Sequence, residues 1–275
     1  MGTYDPAWVT NYFDEFGEQE LERLVKTPAR EIQLAVHTDF LLKHLTVDLD
    51  ILEIGAGPGR FTNHLVNLEC RVTVTDISPV QVELNRQTAE KHKFGYGVTE
   101  WRQLDMCDMS CFADNSFDAV VAFGGPLSYV LDQREVAIQE CIRVTKPGGV
   151  ILLSVMCLWG TVHQYLEGVL GFPPDDNEKI IESGDLTTSN SQFATHNCHM
   201  FRSQELREFL HSHGLDVIDM AASNTLSTVH GDSLIEIRKD KTKWIQLLEM
   251  ELKACREPGC LDLGTHLIAA ARKPL

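Results

Sequence analysis

The spacing of apolar positions changes twice along the chain. Up to residue 45 they recur every three or four residues, as Tyr4, Trp8, Tyr12, Phe13 and Phe16, then as Leu34, His37, Phe40, Leu41 and Leu45. Each series forms one face of a helix, and Pro28 stands where a second helix can begin. From residue 50, short apolar runs alternate with helical stretches. Ile51–Ile54, Arg71–Thr75, Thr99–Leu104, Phe117–Phe123 and Val150–Val155 read as strands. Phe61–Leu68, Pro79–His92 and Arg134–Val144 read as helices, with Ser78 as the N-cap of the second. Such alternation implies an α/β fold, a mostly parallel sheet with helices on both faces. The rhythm breaks after residue 156. Residues 157–200, with Gly160, Gly168, Gly171, Pro173, Pro174 and a polar Thr/Ser/Asn stretch, read as a long irregular insertion. Insertions of that kind often form a lid or a binding loop. Helix Ser203–Gly214, strand Leu215–Ala221, helix Lys241–Cys255 and a final strand Thr265–Ala271 complete the pattern.

Composition narrows the field of partners. The 24 basic and 40 acidic residues give a formal charge of −16. That average field repels a phosphate backbone, and no Lys/Arg run offsets it, so no nucleic-acid partner is expected. No stretch approaches the ~20 apolar residues of a membrane helix. The first residues are acidic and aromatic rather than basic then apolar, so a cytoplasmic location is expected. The eight cysteines form no CxxC pair and read as small buried apolar residues. Cys198, flanked by His196 and His199, is a short cluster without a second half, and no metal is expected there.

The chemistry concentrates in Asp50-Ile-Leu-Glu-Ile-Gly-Ala-Gly-Pro-Gly-Arg60. An apolar strand runs into Gly55-x-Gly57-x-Gly59 and then a helix. Glycines there let the backbone turn tightly and let a ligand approach the main chain. Alone, such a turn fits either a dinucleotide site or a plain tight turn. Asp76 ends the second strand, 23 residues after Glu53, where a carboxylate can accept from both hydroxyls of a ribose. Asp105 follows the third strand and can accept from an adenine amino group, with Met106 and Ile77 as apolar faces for the ring. Lys146-Pro147-Gly148-Gly149 reads as a turn before the fifth strand. A nicotinamide dinucleotide site would carry GxGxxG, whereas this loop reads Gly-Ala-Gly-Pro-Gly-Arg.

The ordered set DILEIGAGPGR, VTVTDIS, QLDM, FDAVVAFGG and RVTKPGGVILL resembles the class I S-adenosylmethionine (SAM)-dependent methyltransferases. It is most similar to the small-molecule branch called methyltransferase type 11. The resemblance implies a Rossmann-like, seven-stranded, mostly parallel sheet with an antiparallel last strand and an N-terminal helical cap. It also implies SAM as cofactor, with S-adenosylhomocysteine (SAH) as product. One methyltransferase domain is expected over 1–275: a cap at 1–45, a SAM-binding core at 46–156, a substrate-side insertion or lid at 157–202, and the rest of the sheet at 203–275.

By the same resemblance, Glu53, Gly55, Ala56, Gly57 and Gly59 hold the methionine part of SAM. Asp76 holds the ribose; Asp105, Met106 and Ile77 hold the adenine. Tyr12 resembles the tyrosine of a segment that closes over SAM, and Arg30 is a candidate partner for the SAM carboxylate. The fourth strand ends in Phe123-Gly-Gly-Pro-Leu-Ser-Tyr129, which resembles GPLY-type segments and lacks the Asn of NPPY. Phe123 and Leu127 are therefore candidate walls for methyl transfer, and Tyr129 a catalytic hydrogen-bonding group. His163 is the candidate base, with Trp159, Tyr165 and His199 as substrate contacts. The function expected is transfer of a methyl group to nitrogen, oxygen or sulfur of a small molecule, by a monomer or homodimer. The alternatives are a protein acceptor, or SAM binding without methyl transfer.

Overall fold

A computed structural model describes residues 2–20, 25–188 and 196–275. Its centre is a seven-stranded sheet in the order β3-β2-β1-β4-β5-β9-β8. The strands are β1 (Asp50–Ile54), β2 (Arg71–Asp76), β3 (Val98–Gln103), β4 (Phe117–Ala122), β5 (Thr145–Met156), β8 (Asp216–Ala222) and β9 (His266–Arg272). β9 runs antiparallel to both its neighbours, and every other pairing is parallel. The order reverses at β1 and β4, so the crevice of the sheet opens at their carboxyl ends.

Period-two alternation along the strands divides the core in two. Leu52, Ile54, Val120, Ala122, Leu153, Val155, Leu267 and Ala269 pack on one side against α6 (Arg134–Val144) and α10 (Ser203–Ser212). Ile51, Val72, Val74, Ala119, Val121, Leu152 and Ile268 pack on the other, against α2 (Pro28–His44), α3 (Arg60–Asn67) and α4 (Pro79–His92). Ser78 caps α4 as expected, its hydroxyl accepting from Gln81 N at 3.0 Å. A third cluster of Val9, Tyr129, Leu158, Ile180, Cys198 and Met200 ties α1 (Pro6–Phe16) to the insertion above the crevice.

Two expectations are corrected. The insertion is not irregular. It folds as α7 (Leu158–Gln164), α8 (Leu166–Leu170), α9 (Pro174–Ser183) and an antiparallel pair, β6 (Asp185–Leu186) with β7 (Cys198–His199). The residues that read as loop have helical uses. Pro174 opens α9, and Gly160 inside α7 is a close approach, since a Cβ there would lie 1.7 Å from the Gly264 carbonyl oxygen. Part of the polar Thr/Ser/Asn stretch, 189–195, lies outside the described residues. The second correction concerns β5, which begins at Thr145 rather than Val150. Its register against β4 jumps from Phe117↔Thr145 to Ala119↔Val150, so Lys146–Gly149 is absorbed within the strand rather than preceding it as a turn. Helix α11 (Gly231–Lys239), ahead of α12 (Lys241–Ala254), carries no expectation from the sequence.

Candidate functional site

The glycine loop after β1 takes a conformation that side chains resist. Gly55, Gly57 and Gly59 have φ of +63°, +52° and +94°. A Cβ on Gly55 would lie 2.6 Å from Pro126 Cγ, so the loop also touches α5 (Pro126–Tyr129) after β4. Asn85 of α4 braces the loop from below. Its Nδ2 donates to Gly57 O at 3.1 Å and to Thr62 Oγ1 at 3.0 Å, while its Oδ1 accepts from Trp101 Nε1 at 3.0 Å. Thr62 in turn donates to Glu53 Oε2 at 2.6 Å. Glu53 is only 2% exposed and stands behind the loop rather than on a cavity wall. Burial pushes its carboxyl up to about 8, against the Thr62 hydrogen bond and with help from Asp76.

Asp76, at the end of β2, holds the loop from the front. Its Oδ2 accepts from Gly57 N at 2.9 Å and its Oδ1 from Ser78 N at 2.9 Å. Burial pushes its carboxyl up to about 6; these two backbone bonds oppose the shift, and Glu20 and Asp14 add to it. Beside it, Asp105 is braced by Cys107 N at 2.8 Å. Burial, with Asp105 close by, holds the Tyr4 phenol above its ordinary range.

These groups face one cavity of about 710 Å³, within the ~300–1,000 Å³ of small-molecule sites. A smaller hollow of about 440 Å³ adjoins it at Ile77, Leu104 and Asp105. The main cavity is lined by Gly55, Ala56, Gly57, Asp76, Ile77, Asp105 and Met106. It is also lined by apolar side chains of α1, α5 and the insertion, among them Val9, Phe13, Val162, Phe172, Ile180 and Met200, and Val9 and Phe13 pack in one cluster with Ile77. Tyr12, Arg30, Phe123, Tyr129 and Tyr165 line it as well. Tyr12 OH lies 2.8 Å from His196 Nε2, which binds α1 to the insertion. Phe123 sits edge-on to His37 and Phe61 at 5.3 and 5.2 Å. Tyr129 meets Phe13 at 5.3 Å. Arg30 donates to Gln33 Oε1 at 2.8 Å and to Tyr165 OH at 3.4 Å.

Other candidates lie off the wall, for geometric reasons. Thr161, Val162 and Tyr165 of α7 and its C-cap face the cavity, which turns Trp159 and His163 away. Trp159 is 41% exposed, with the Arg202 guanidinium 5.7 Å above its ring. Leu127 is buried in the core on the α6 side, while Pro126, Tyr129 and Val130 line the cavity. Gly59 is the N-cap of α3, against Asn85.

His199 is 1% exposed and sandwiched between two carboxylates, Nδ1 with Asp185 at 2.7 Å and Nε2 with Glu205 at 2.7 Å. Burial opposes its charged form, but the two carboxylates win and raise its pKa. Gly2 N donates to the other oxygen of Asp185 at 2.8 Å. His199 thus fastens the insertion to the start of the chain and to α10. His196, weighed with His199 as a pocket residue, lines the cavity; Tyr4, Glu20, Arg60, Thr265 and His266 line it without having been site candidates. Thr265 and His266 sit where β9 enters the sheet, and the sequence marked them only as a strand. Among the described residues no group of three His, Cys, Asp or Glu side chains could hold a metal ion, and no helix is long and apolar enough to cross a membrane.

Residues 51–149 match the sequence model of a family described as a methyltransferase domain. The tRNA 5-carboxymethoxyuridine methyltransferase of Escherichia coli K12 is 23% identical over 95% of this chain and 96% of its own. The ubiquinone biosynthesis O-methyltransferase of Xanthomonas axonopodis pv. citri is 30% identical over 38% of this chain and 42% of its own. Among solved structures, a chain of the complex between the Haloferax volcanii Trm112 methyltransferase activator and a methyltransferase aligns with a TM-score of 0.62 at 17% identity. That alignment covers 97% of this chain and 98% of the other.

Proposed function

We propose that the chain acts as a class I SAM-dependent methyltransferase, with SAM as its cofactor, on a small molecule with an apolar body, methylated on oxygen, nitrogen or sulfur with SAH as product. The lining of the cavity carries this reading: the ordered motifs supply polar groups, and α1, α5 and the insertion supply apolar side chains. The residues fit SAM. The glycine loop gives its methionine part a backbone approach, and Asp76 accepts from the ribose. Ile77, Met106 and Asp105 take the adenine, with the adjoining hollow as room for it. Arg30 faces the carboxylate, and Tyr12 closes the cap. SAM supplies an already activated methyl on a sulfonium. The chain's own work is to align the acceptor and exclude water. Val9, Phe13, Phe172, Ile180 and Met200 serve the second task.

A tRNA acceptor is the competing reading, suggested by the relative whose match spans 95% of the chain. The charge of −16 and the apolar side chains lining the cavity favour the small molecule. Incubating the chain with SAM, and separately with bulk tRNA or a panel of small carboxylates, phenols, amines and thiols, decides between them. SAH accumulation with small molecules alone is the expected result. Accumulation with tRNA alone overturns the reading, and SAM binding without any turnover points to a SAM fold that transfers no methyl.

A further inference from the structure

Gln81 of α4 reaches across to the end of α1. Its Nε2 donates to Phe13 O at 3.0 Å and to Gly17 O at 3.1 Å. Backbone carbonyls only accept, so both N–H groups of the amide are committed there and its orientation is fixed. Oε1 is left on the other side. It stands 4.0 Å from where a Cβ on Gly57 would lie, and Gln81, Gly57 and Asp76 all line the cavity. Gln81 is 1% exposed, and its Oε1 is buried with no hydrogen-bond partner among the described residues. Asp76 stands beside the same glycine, its two oxygens accepting from Gly57 N and Ser78 N, each at 2.9 Å. Ser78 joins the two helices a second time: its hydroxyl donates to Asp14 of α1 and accepts from Gln81 N. A carboxylate and an amide oxygen, both acceptors, therefore stand together at the glycine loop.

We infer that Gln81 Oε1 accepts from one ribose hydroxyl of the cofactor, beside Asp76, and that this bond couples cofactor binding to closure of α1 over the cavity. The inference rests on the methyltransferase reading above and adds to it a binding residue and an order of binding. A ribose offers two neighbouring O–H donors, and an amide oxygen whose own N–H groups are committed elsewhere can only accept. With α1 closed, that oxygen is held away from water, and a buried acceptor without a donor disfavours the arrangement. With α1 lifted, the Phe13 and Gly17 carbonyls leave with it, and the amide is free to turn to solvent. A ribose hydroxyl relieves the closed arrangement alone, so the cofactor shifts the balance toward closure. Val9, Phe13 and Phe16 of α1 line the same cavity, so the wall for the acceptor is complete only when α1 is closed. The cofactor therefore binds first and the acceptor second.

Calorimetry and hydrogen exchange on the full chain test this, with SAH, 2′-deoxy-SAH and 3′-deoxy-SAH as ligands. Both analogues should bind the unaltered chain more weakly than SAH. In Gln81→Met, which keeps the length of the side chain without its amide, the loss on removing one of the two hydroxyls should shrink by about fivefold or more, the scale of one neutral hydrogen bond. The loss on removing the other hydroxyl should stay. At saturation, SAH should slow amide exchange in Pro6–Phe16 of the unaltered chain, and one of the two deoxy analogues should leave it near the rate of the free chain. Saturating SAH should slow the glycine loop of Gln81→Met but not its Pro6–Phe16 segment. The comparison of ligands on the unaltered chain needs no substitution, so it stands even where the variant fails to fold. Full slowing of Pro6–Phe16 by both deoxy analogues, or losses that Gln81→Met leaves unchanged for both hydroxyls, overturns the inference. Failure of the unaltered chain to bind SAH would instead overturn the methyltransferase reading itself.

Discussion

Asp76 and Glu53 are both acidic and both buried, yet they do different work. Asp76 ends its strand on the cavity and spends its oxygens on Gly57 and Ser78 N–H groups. In the proposed SAM site, protonating it would remove an acceptor for the ribose. With its carboxyl pushed up to about 6, SAM affinity of the unaltered chain should fall as pH drops through that value. Asp76→Asn should bind SAM about tenfold to a hundredfold more weakly at pH 8, the scale of one hydrogen bond to a charged group, and lose this pH dependence. Titration calorimetry from pH 5 to 8 checks both. Glu53 faces inward to Thr62, and burial raises it to about 8 from an ordinary 4.5. A carboxyl raised on folding contributes stability below its unfolded pKa and loses it as pH rises through the folded one. Glu53→Gln should therefore show a shallower fall in melting temperature between pH 5 and 9 than the unaltered chain. The alternation in Asp50–Ile54 marked this carboxylate as part of the motif; that it points away from the cavity depends on α3 crossing above it.

At the scale of elements, the insertion is held by contacts distant in sequence. His199 links β7 to β6 through Asp185 and to α10 through Glu205, and Asp185 also accepts from Gly2 N. Leu186 and Met200, next to these residues, line the cavity. Removing one member of a buried charged cluster costs about 3–5 kcal/mol, so His199→Ala should lose stability on that scale in urea unfolding. A histidine raised above its ordinary 6.5 contributes fully below that value and loses the contribution as pH rises through the folded one. The loss on substitution should therefore be larger at pH 6 than at pH 9. The sequence marked His199 as a polar residue near a pocket, a reading equally open to any histidine before a helix; its two carboxylate partners lie 14 and 6 residues away. Gly160 makes a similar point. It read as a loop signal, but it lets α7 lie on the Gly264 backbone. Gly160→Ala should displace that contact and lower the melting temperature by several degrees.

At the scale of the whole molecule, the cavity exists because α1 and the insertion roof the carboxyl ends of the strands. Much of the third apolar cluster also lines that cavity, through Val9, Tyr129, Ile180 and Met200. A ligand that fills the cavity should stabilise both roof elements together. Hydrogen exchange should slow in Pro6–Phe16 and Leu158–Ser183 on adding SAH, with little change in β8 and β9 beyond His266. An exchange decrease confined to the glycine loop would show that the roof does not close on the cofactor.

The sequence by itself determined the sheet, its order of strands and helices, and the cofactor motifs. These depend on local signals: period-two apolar runs, glycines where φ must be positive, and carboxylates at strand ends. Tertiary structure alone decided the acceptor side. Whether Thr161, Val162 and Tyr165 or Trp159 and His163 face the cavity is a rotation of α7 set by its packing. Thr265 lines the cavity and accepts from Gln33 of α2, 232 positions away along the chain. Hydrogen bonds of that reach leave no periodicity to read.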